Sequence, residues 1–191
     1  MTKADFIAIT GPAAAGKSTI AKALQAELIR RGELWHVMEL DVFARGLPRE
    51  WIKWGTHRGE FAERGFVYAR GADGRVDLTL GADGRRVLAA FHRSVAAVVK
   101  SGINVICETI VYDDEDWRDW TAALTDISAR WVKLSAPIDV LEGREVERPR
   151  PAQGLARGMA ARQPVGEYDV EGDTGVEAVG AIVGRIVAVL A

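Results

Sequence analysis

The most specific chemistry in the chain lies near its start. The segment Gly11-Pro12-Ala13-Ala14-Ala15-Gly16-Lys17-Ser18 fills every fixed position of Gly-x-x-x-x-Gly-Lys-Ser/Thr. The glycines let the backbone curl, so that successive N–H groups point into one concavity, and a following helix adds its partial positive charge. Such a loop holds the phosphates of a nucleoside triphosphate. Lys17 reaches the β- and γ-phosphates and the Ser18 hydroxyl ligates Mg²⁺, with Thr19 next in line. ATP and Mg²⁺ are therefore the expected cofactors.

Phosphoryl transfer also needs a carboxylate to take up or orient the attacking hydroxyl, and a group to hold the metal's water shell. Asp41 and Glu108 each end an apolar, strand-like run. In an open α/β sheet the ligand crevice lies at the carboxyl ends of the strands. Asp41 is assigned to the acceptor hydroxyl and Glu108 to the metal, both bordering the substrate. Asp41 could instead cap a helix starting near Val42, and Glu108 could be a plain edge acid. Arg148, Arg150, Arg157 and Arg162 follow Arg144 in a Pro/Gly-containing stretch. A basic loop closing over ATP would set an arginine on the transferred phosphate, and Arg148 and Arg157 are the candidates; a solvated basic surface is the alternative. Phe43, Trp51 and Trp54 follow Asp41, the two tryptophans sharing a face if 51–54 is helical. They wall an apolar acceptor pocket or simply pack a core.

These residues need a scaffold. Phe6–Thr10 reads as a buried strand and Lys17–Arg31 as a helix stopped by Gly32; Leu34–Leu40 and Ile103–Cys107 read as strands. Arg86–Lys100 is helical, Ile127–Leu134 is a strand, Pro137 opens a helix, and a strand near Val170 and a terminal helix close the chain. This alternation predicts an α/β fold, with a mostly parallel five-stranded sheet and helices on both faces. Two segments break the rhythm. Phe66–Leu80 reads as a hairpin turning at Asp73-Gly74, inside an acceptor-side insertion over residues 42–84; residues 144–164 form the arginine-rich lid. Residues 1–191 are expected to form a single domain.

The 191 residues carry 27 acidic and 25 basic side chains, a balance unlike that of a protein binding nucleic acid by bulk charge. Cys107 is the one cysteine, so no intrachain disulfide can form, and a reducing cytoplasm is expected. No membrane-spanning or export signal is visible. A guanine-reading Asn-Lys-x-Asp motif is absent, because the single asparagine, Asn104, precedes Val105-Ile106. His36, His57 and His92 lack ligand-spaced partners, which argues against a zinc site.

The sequence resembles the chloramphenicol phosphotransferase-like P-loop kinases over nearly its whole length. The likeness runs through Gly11–Ser18, Asp41 with Leu47-Pro48, Gly143-Arg144-Glu145, Gly154-Leu155-Ala156-Arg157, Tyr168-Asp169-Val170-Glu171 and Asp173-Thr174. The resemblance implies transfer of the γ-phosphate of ATP to a hydroxyl of a small molecule, an antibiotic of the chloramphenicol type among them. It implies a catalytic base at Asp41, and Arg144, Asp173 and Thr174 near the nucleotide. Val42 stands where the family usually has serine, and Glu108-Thr109 where it has an acid pair. The lid between Arg148 and Gln163 is longer, with extra prolines. A kinase of a nucleotide or nucleotide sugar, and an ATP-binding regulatory protein without transferase activity, are the alternatives. The oligomeric state is not legible.

Overall fold

The computed structural model describes residues 5–147, 153–162 and 166–190. Strand β1 (Asp5–Thr10) leads into the glycine loop and helix α1 (Lys17–Arg30), and β2 (Trp35–Glu39) into the short helix α2 (Leu40–Ala44). An insertion carries β3 (Ile52–Trp54), β4 (His57–Arg58), β5 (Phe66–Arg70) and β6 (Val76–Leu80). Then come α3 (Ala82–Lys100), β7 (Asn104–Glu108), α4 (Asp114–Ala123), β8 (Ser128–Ser135), α5 (Ile138–Val146), α6 (Leu155–Ala160), β9 (Val170–Asp173) and α7 (Val179–Ala188).

The central sheet has the order β2-β7-β1-β8-β9, and every pair in it is parallel. Phe6, Ile7, Ala8 and Ile9 of β1 are all fully buried, as a parallel strand covered on both faces requires. Their side chains alternate between two cores. Ile7 and Ile9 pack with Ile20 and Leu24 of α1 and Ile182 and Ile186 of α7. Phe6 and Ala8 pack with Phe91 and Val95 of α3 and Trp120 of α4. Burying each of these larger side chains stabilises the fold by about 1.5–3 kcal/mol. The helices thus cover both faces, as the alternating pattern predicts.

The insertion is larger than the expected hairpin. Strands β5 and β6 pair antiparallel from Phe66↔Leu80 to Arg70↔Val76, with Gly74 in the turn at φ +79°. Two further short strands extend this into a second sheet of order β4-β3-β5-β6. The conditional helix over 51–54 does not form: Trp51 ends a 3-10 turn and Trp54 ends β3. Short runs paired across chain turns carry no period long enough to read. Among the described residues no helix is long and apolar enough to cross a membrane.

Candidate active site

The glycine loop is built to be rigid before any ligand arrives. Gly11 has φ +146°, and a Cβ there would lie 2.3 Å from the Leu134 carbonyl oxygen of β8. Ala14, a non-glycine residue, is held at φ 62°, a left-handed conformation that costs about 1–3 kcal/mol. The surroundings impose it: Arg144 Nη1 donates to the Ala14 carbonyl at 3.3 Å, and the Thr174 hydroxyl donates to the Ala15 carbonyl at 3.1 Å. Arg144 also donates to the Thr174 hydroxyl at 2.9 Å and carbonyl at 2.8 Å. Arg144 and Thr174 therefore reach the loop from 130 and 159 residues further along the chain. With Gly16 and Thr19 they line a cavity of about 280 Å³ beside α7. Asp173 does not line it; its carboxylate accepts from the Gly175 N–H at 2.8 Å and closes the turn that presents Thr174.

On the other side of the loop, Ala13, Lys17, Ser18, Asp41, Glu108 and Tyr68 border a cavity of about 620 Å³. Lys17 is buried, and its Nζ donates to the Gly11 and Pro12 carbonyls at 3.0 and 2.9 Å. Asp41 lies in the first turn of α2, exposed; the helix begins before it, so its carboxylate does not act as the N-cap. The Ser18 hydroxyl donates to Glu108 Oε1 at 2.9 Å, while Glu108 Oε2 is buried without a hydrogen-bond partner.

Glu39 is the acid that sequence reasoning missed. It ends β2 in register with Glu108 at the end of β7 and borders the same cavity. The visible signal was its position two residues before Asp41 at a strand end. Burial raises the Glu108 pKa; Ser18 and Lys17 oppose the rise, and the charges of Glu39 and Asp41 add to it. Burial, then the Asp41 charge, pushes the Tyr68 phenol to about 12. Burial raises Tyr112 well above its ordinary value, with Tyr68, Asp41 and Asp116 adding. Both phenols stay protonated at the cavity wall.

Ile110, Tyr112 and Met159 are shared with a second cavity of about 400 Å³, under β6 and α6. Its walls are Val76, Leu78, Leu80 and Val111, with Arg85, Asp113, Asp114 and Arg162 as its charged residues. Arg85 pairs with Asp113 at 2.7 Å and with Glu115 at 3.0 Å. Arg162 lies 3.4 Å from Asp77 and donates to the Leu78 carbonyl at 3.3 Å.

Several expected site residues lie elsewhere. Phe43 packs on Phe91, with ring centroids 5.2 Å apart. Trp51 packs at a tilt on Phe61, ring centroids 4.7 Å apart, and donates to Asp83 at 3.2 Å. Trp54 meets Tyr68 edge-on at 4.4 Å, behind the cavity wall. None of the three lines the cavity that holds Asp41; each packs against another aromatic ring instead. Arg157 is turned outward, paired with Glu142 at 2.7 and 2.9 Å. Arg148 lies outside the described residues.

Among the described residues no group of three His, Cys, Asp or Glu is placed to hold a metal ion. His92 is nevertheless not inert packing. Buried against Trp120, its ring nitrogens face Asp116 at 3.3 Å and Asp119 at 2.5 Å. Asp116 in turn accepts from the Tyr112 N–H at 3.0 Å, which ties this cluster to the wall of both cavities.

The model of the family described as "chloramphenicol phosphotransferase-like protein" matches residues 4–190. This chain belongs to that family. No curated protein matches the sequence significantly. Among solved structures it is similar to the APS kinase CysC of Mycobacterium tuberculosis, solved with AMPPNP and APS, at 16% identity over 98% of both chains and a TM-score of 0.70. It is similar to a putative kinase of Chloroflexus aurantiacus at 22% identity, over 100% of this chain and 97% of that one, TM-score 0.64. A gluconokinase of Sinorhizobium meliloti matches at 18% identity, over 98% of this chain and 92% of that one, TM-score 0.62. At these identities the likeness is one of fold. By family and fold this chloramphenicol phosphotransferase-like chain is a P-loop kinase.

Proposed function

We propose that the chain transfers the γ-phosphate of ATP to a hydroxyl of an uncharged, largely apolar small molecule. One observation carries the reading: Asp41 and the loop residues Lys17 and Ser18 border the same cavity. In the transfer, Asp41 accepts the proton of the acceptor hydroxyl while that oxygen bonds to the γ-phosphorus and the bond to the ADP oxygen breaks. Lys17 exchanges its two loop carbonyls for phosphate oxygens. Ser18 and the buried, unpartnered oxygen of Glu108 suit Mg²⁺ held largely by the nucleotide, Ser18 as direct ligand and Glu108 through its water shell. When bound, Mg²⁺ neutralises charge on the phosphates. Arg144 and Thr174 border the cavity that suits the rest of the nucleotide.

Charge supports an uncharged acceptor over a nucleotide or nucleotide sugar. Among the described residues the first cavity has Glu39, Asp41 and Glu108 against Lys17 and Arg45. The second sets Arg85 and Arg162 against Asp113 and Asp114 between aliphatic walls. An anionic acceptor would meet no net cationic surface there. A buried lone thiol at Cys107 suits a reducing cytoplasm.

The test is incubation with ATP, Mg²⁺ and a panel of hydroxylated acceptors, uncharged antibiotics including chloramphenicol on one arm and nucleotides on the other. Phosphorylated product is read by mass spectrometry. Product from the uncharged arm is expected. Product from the nucleotide arm alone overturns the acceptor assignment, and ATP bound with no product from any acceptor overturns the transferase reading.

A further inference from the structure

Glu145 is among the most buried charged groups of the fold, at 2% exposure, and it makes no ion pair among the described residues within 4.0 Å. It sits near the end of α5 and accepts two backbone N–H bonds from the start of the next helix. Gly154 donates to its Oε2 at 3.0 Å and Ala156 to its Oε1 at 2.6 Å. These N–H groups open α6, which has only six residues and could not persist by its own hydrogen bonds. A desolvated carboxylate with both oxygens committed in this way makes charge-assisted bonds, stronger than neutral ones.

The far side of α6 fits closely against the backbone of β6. The Val76 N–H donates to the Gly154 carbonyl at 2.9 Å, and a Cβ at Gly158 would lie 1.9 Å from the Val76 carbonyl oxygen. Seated between Glu145 and β6, the helix presents Leu155 and Met159 to the cavity of Asp41. It presents Gly158 and Met159 to the second cavity. The residue before Glu145 is Arg144, which grips the glycine loop and Thr174. Two consecutive residues of α5 thus bind the two halves of the site.

We infer that Glu145 is a positioning residue: it seats α6 over the acceptor cavities, so that bound acceptor is covered and water is kept from the transferred phosphate. The inference rests on the transfer reading above, with one readout that does not. Glu145→Gln keeps the shape but sets an amide NH₂ against a backbone N–H. Acceptor KM is expected to rise about tenfold, the loss of one charge-assisted bond, with ATP KM within about twofold. The ratio of ATP hydrolysed to acceptor phosphorylated should rise as well. Independently of any acceptor, trypsin should cut the folded Glu145→Gln protein after Arg157 and Arg162 faster than wild type. Glu145→Asp, one methylene short, should show the same changes in weaker form, and it serves if the amide does not fold. Faster cutting alongside a wild type that phosphorylates nothing would retain the seating of α6 and remove the transfer reading. Unchanged cutting, with an unchanged acceptor KM and hydrolysis ratio, would overturn the assignment even if melting temperature fell.

Discussion

The two sides of the glycine loop are built from different kinds of contact. The loop is eleven to eighteen residues into the chain, framed by β1 and α1, and its backbone turns at Gly11, Ala14 and Gly16 are held by Arg144 and Thr174. The acceptor side draws on β2, the insertion, the segment after β7, and α6, which meet only in the folded chain. The first side is therefore a preformed cradle, and the second is an enclosure whose parts must be held to one another. Substitutions should respect this division: those on the cradle side should weaken nucleotide binding, and those on the enclosure should spare it.

The sharpest test is Asp41→Asn. It removes a base without changing volume, so turnover should fall by roughly 10²–10⁴-fold, the usual worth of general base catalysis. Binding of a nonhydrolysable ATP analogue, read by calorimetry, should stay within about twofold. Loss of analogue binding would break the comparison, because Asp41 would then belong to the cradle. Turnover near the wild-type rate would remove it from the chemistry.

Two glycine substitutions extend the contrast. Gly11→Ala sets a methyl 2.3 Å from the Leu134 carbonyl at a backbone angle that alanine resists. It should destabilise the fold by more than about 2 kcal/mol and weaken analogue binding. Gly158→Ala meets the Val76 carbonyl oxygen at 1.9 Å, so α6 and β6 must move apart. Its expected signature is a raised acceptor KM with analogue binding unchanged. Equal effects on both ligands in either variant would mean that the two sides are one mechanical unit.

What was legible in the sequence follows the same line. The cradle was readable residue by residue because its function is carried by spacing within one segment, and the five-stranded sheet was readable because buried parallel strands form unbroken apolar runs. Arg144 and Thr174, expected beside the nucleotide from family likeness, do meet the loop. The enclosure was less readable. Nothing in the spacing of Trp51, Trp54 and Phe43 says that each has a nearer aromatic partner than a ligand. Nothing local marks Glu145 as the cap of a helix nine residues on, or Glu39 as the in-register neighbour of Glu108. Arg157 reads as one more arginine of a basic loop until Glu142 is seen beside it.

The wall of the enclosure also hides a pH-dependent balance. His92 is lowered to about 4, chiefly by burial, and Asp116 is raised to about 7, again chiefly by burial. Between pH 4 and 6.5 the unfolded chain carries one proton on this pair, on the histidine, and the folded chain also carries one, on the aspartic acid. Proton counts match, so stability should not vary with pH through these two groups over that range. Removing either partner exposes the other. In His92→Gln the folded state holds the extra proton, so stability should fall as pH rises from about 4 to about 7. In Asp116→Asn the unfolded state holds it, so stability should rise from about pH 4 to 6.5. Each slope is at most about 1.4 kcal/mol per pH unit. Denaturation midpoints across pH give both slopes, and slopes of one sign in both variants would refute the shared proton. Because Asp116 holds the Tyr112 N–H, either variant should also raise acceptor KM more than it weakens analogue binding.

The smallest expected effect falls on Arg157, one of the two arginines expected over the transferred phosphate. Arg157→Ala removes a half-exposed guanidinium whose partner, Glu142, lies on the outer surface of α5. An exposed pair of this kind contributes little, because water solvates both charges nearly as well when they are apart. Melting temperature, acceptor KM and turnover should all stay near wild type. Arg162→Ala should differ, raising acceptor KM several-fold, because that side chain borders the second cavity. A fall of roughly 10³-fold in turnover for Arg157→Ala would show that the guanidinium leaves Glu142 during the reaction and reaches the transferred phosphate, the effect expected of an arginine finger. In that case the enclosure would reorganise on binding, and the contrast between a preformed cradle and an assembled cover would widen.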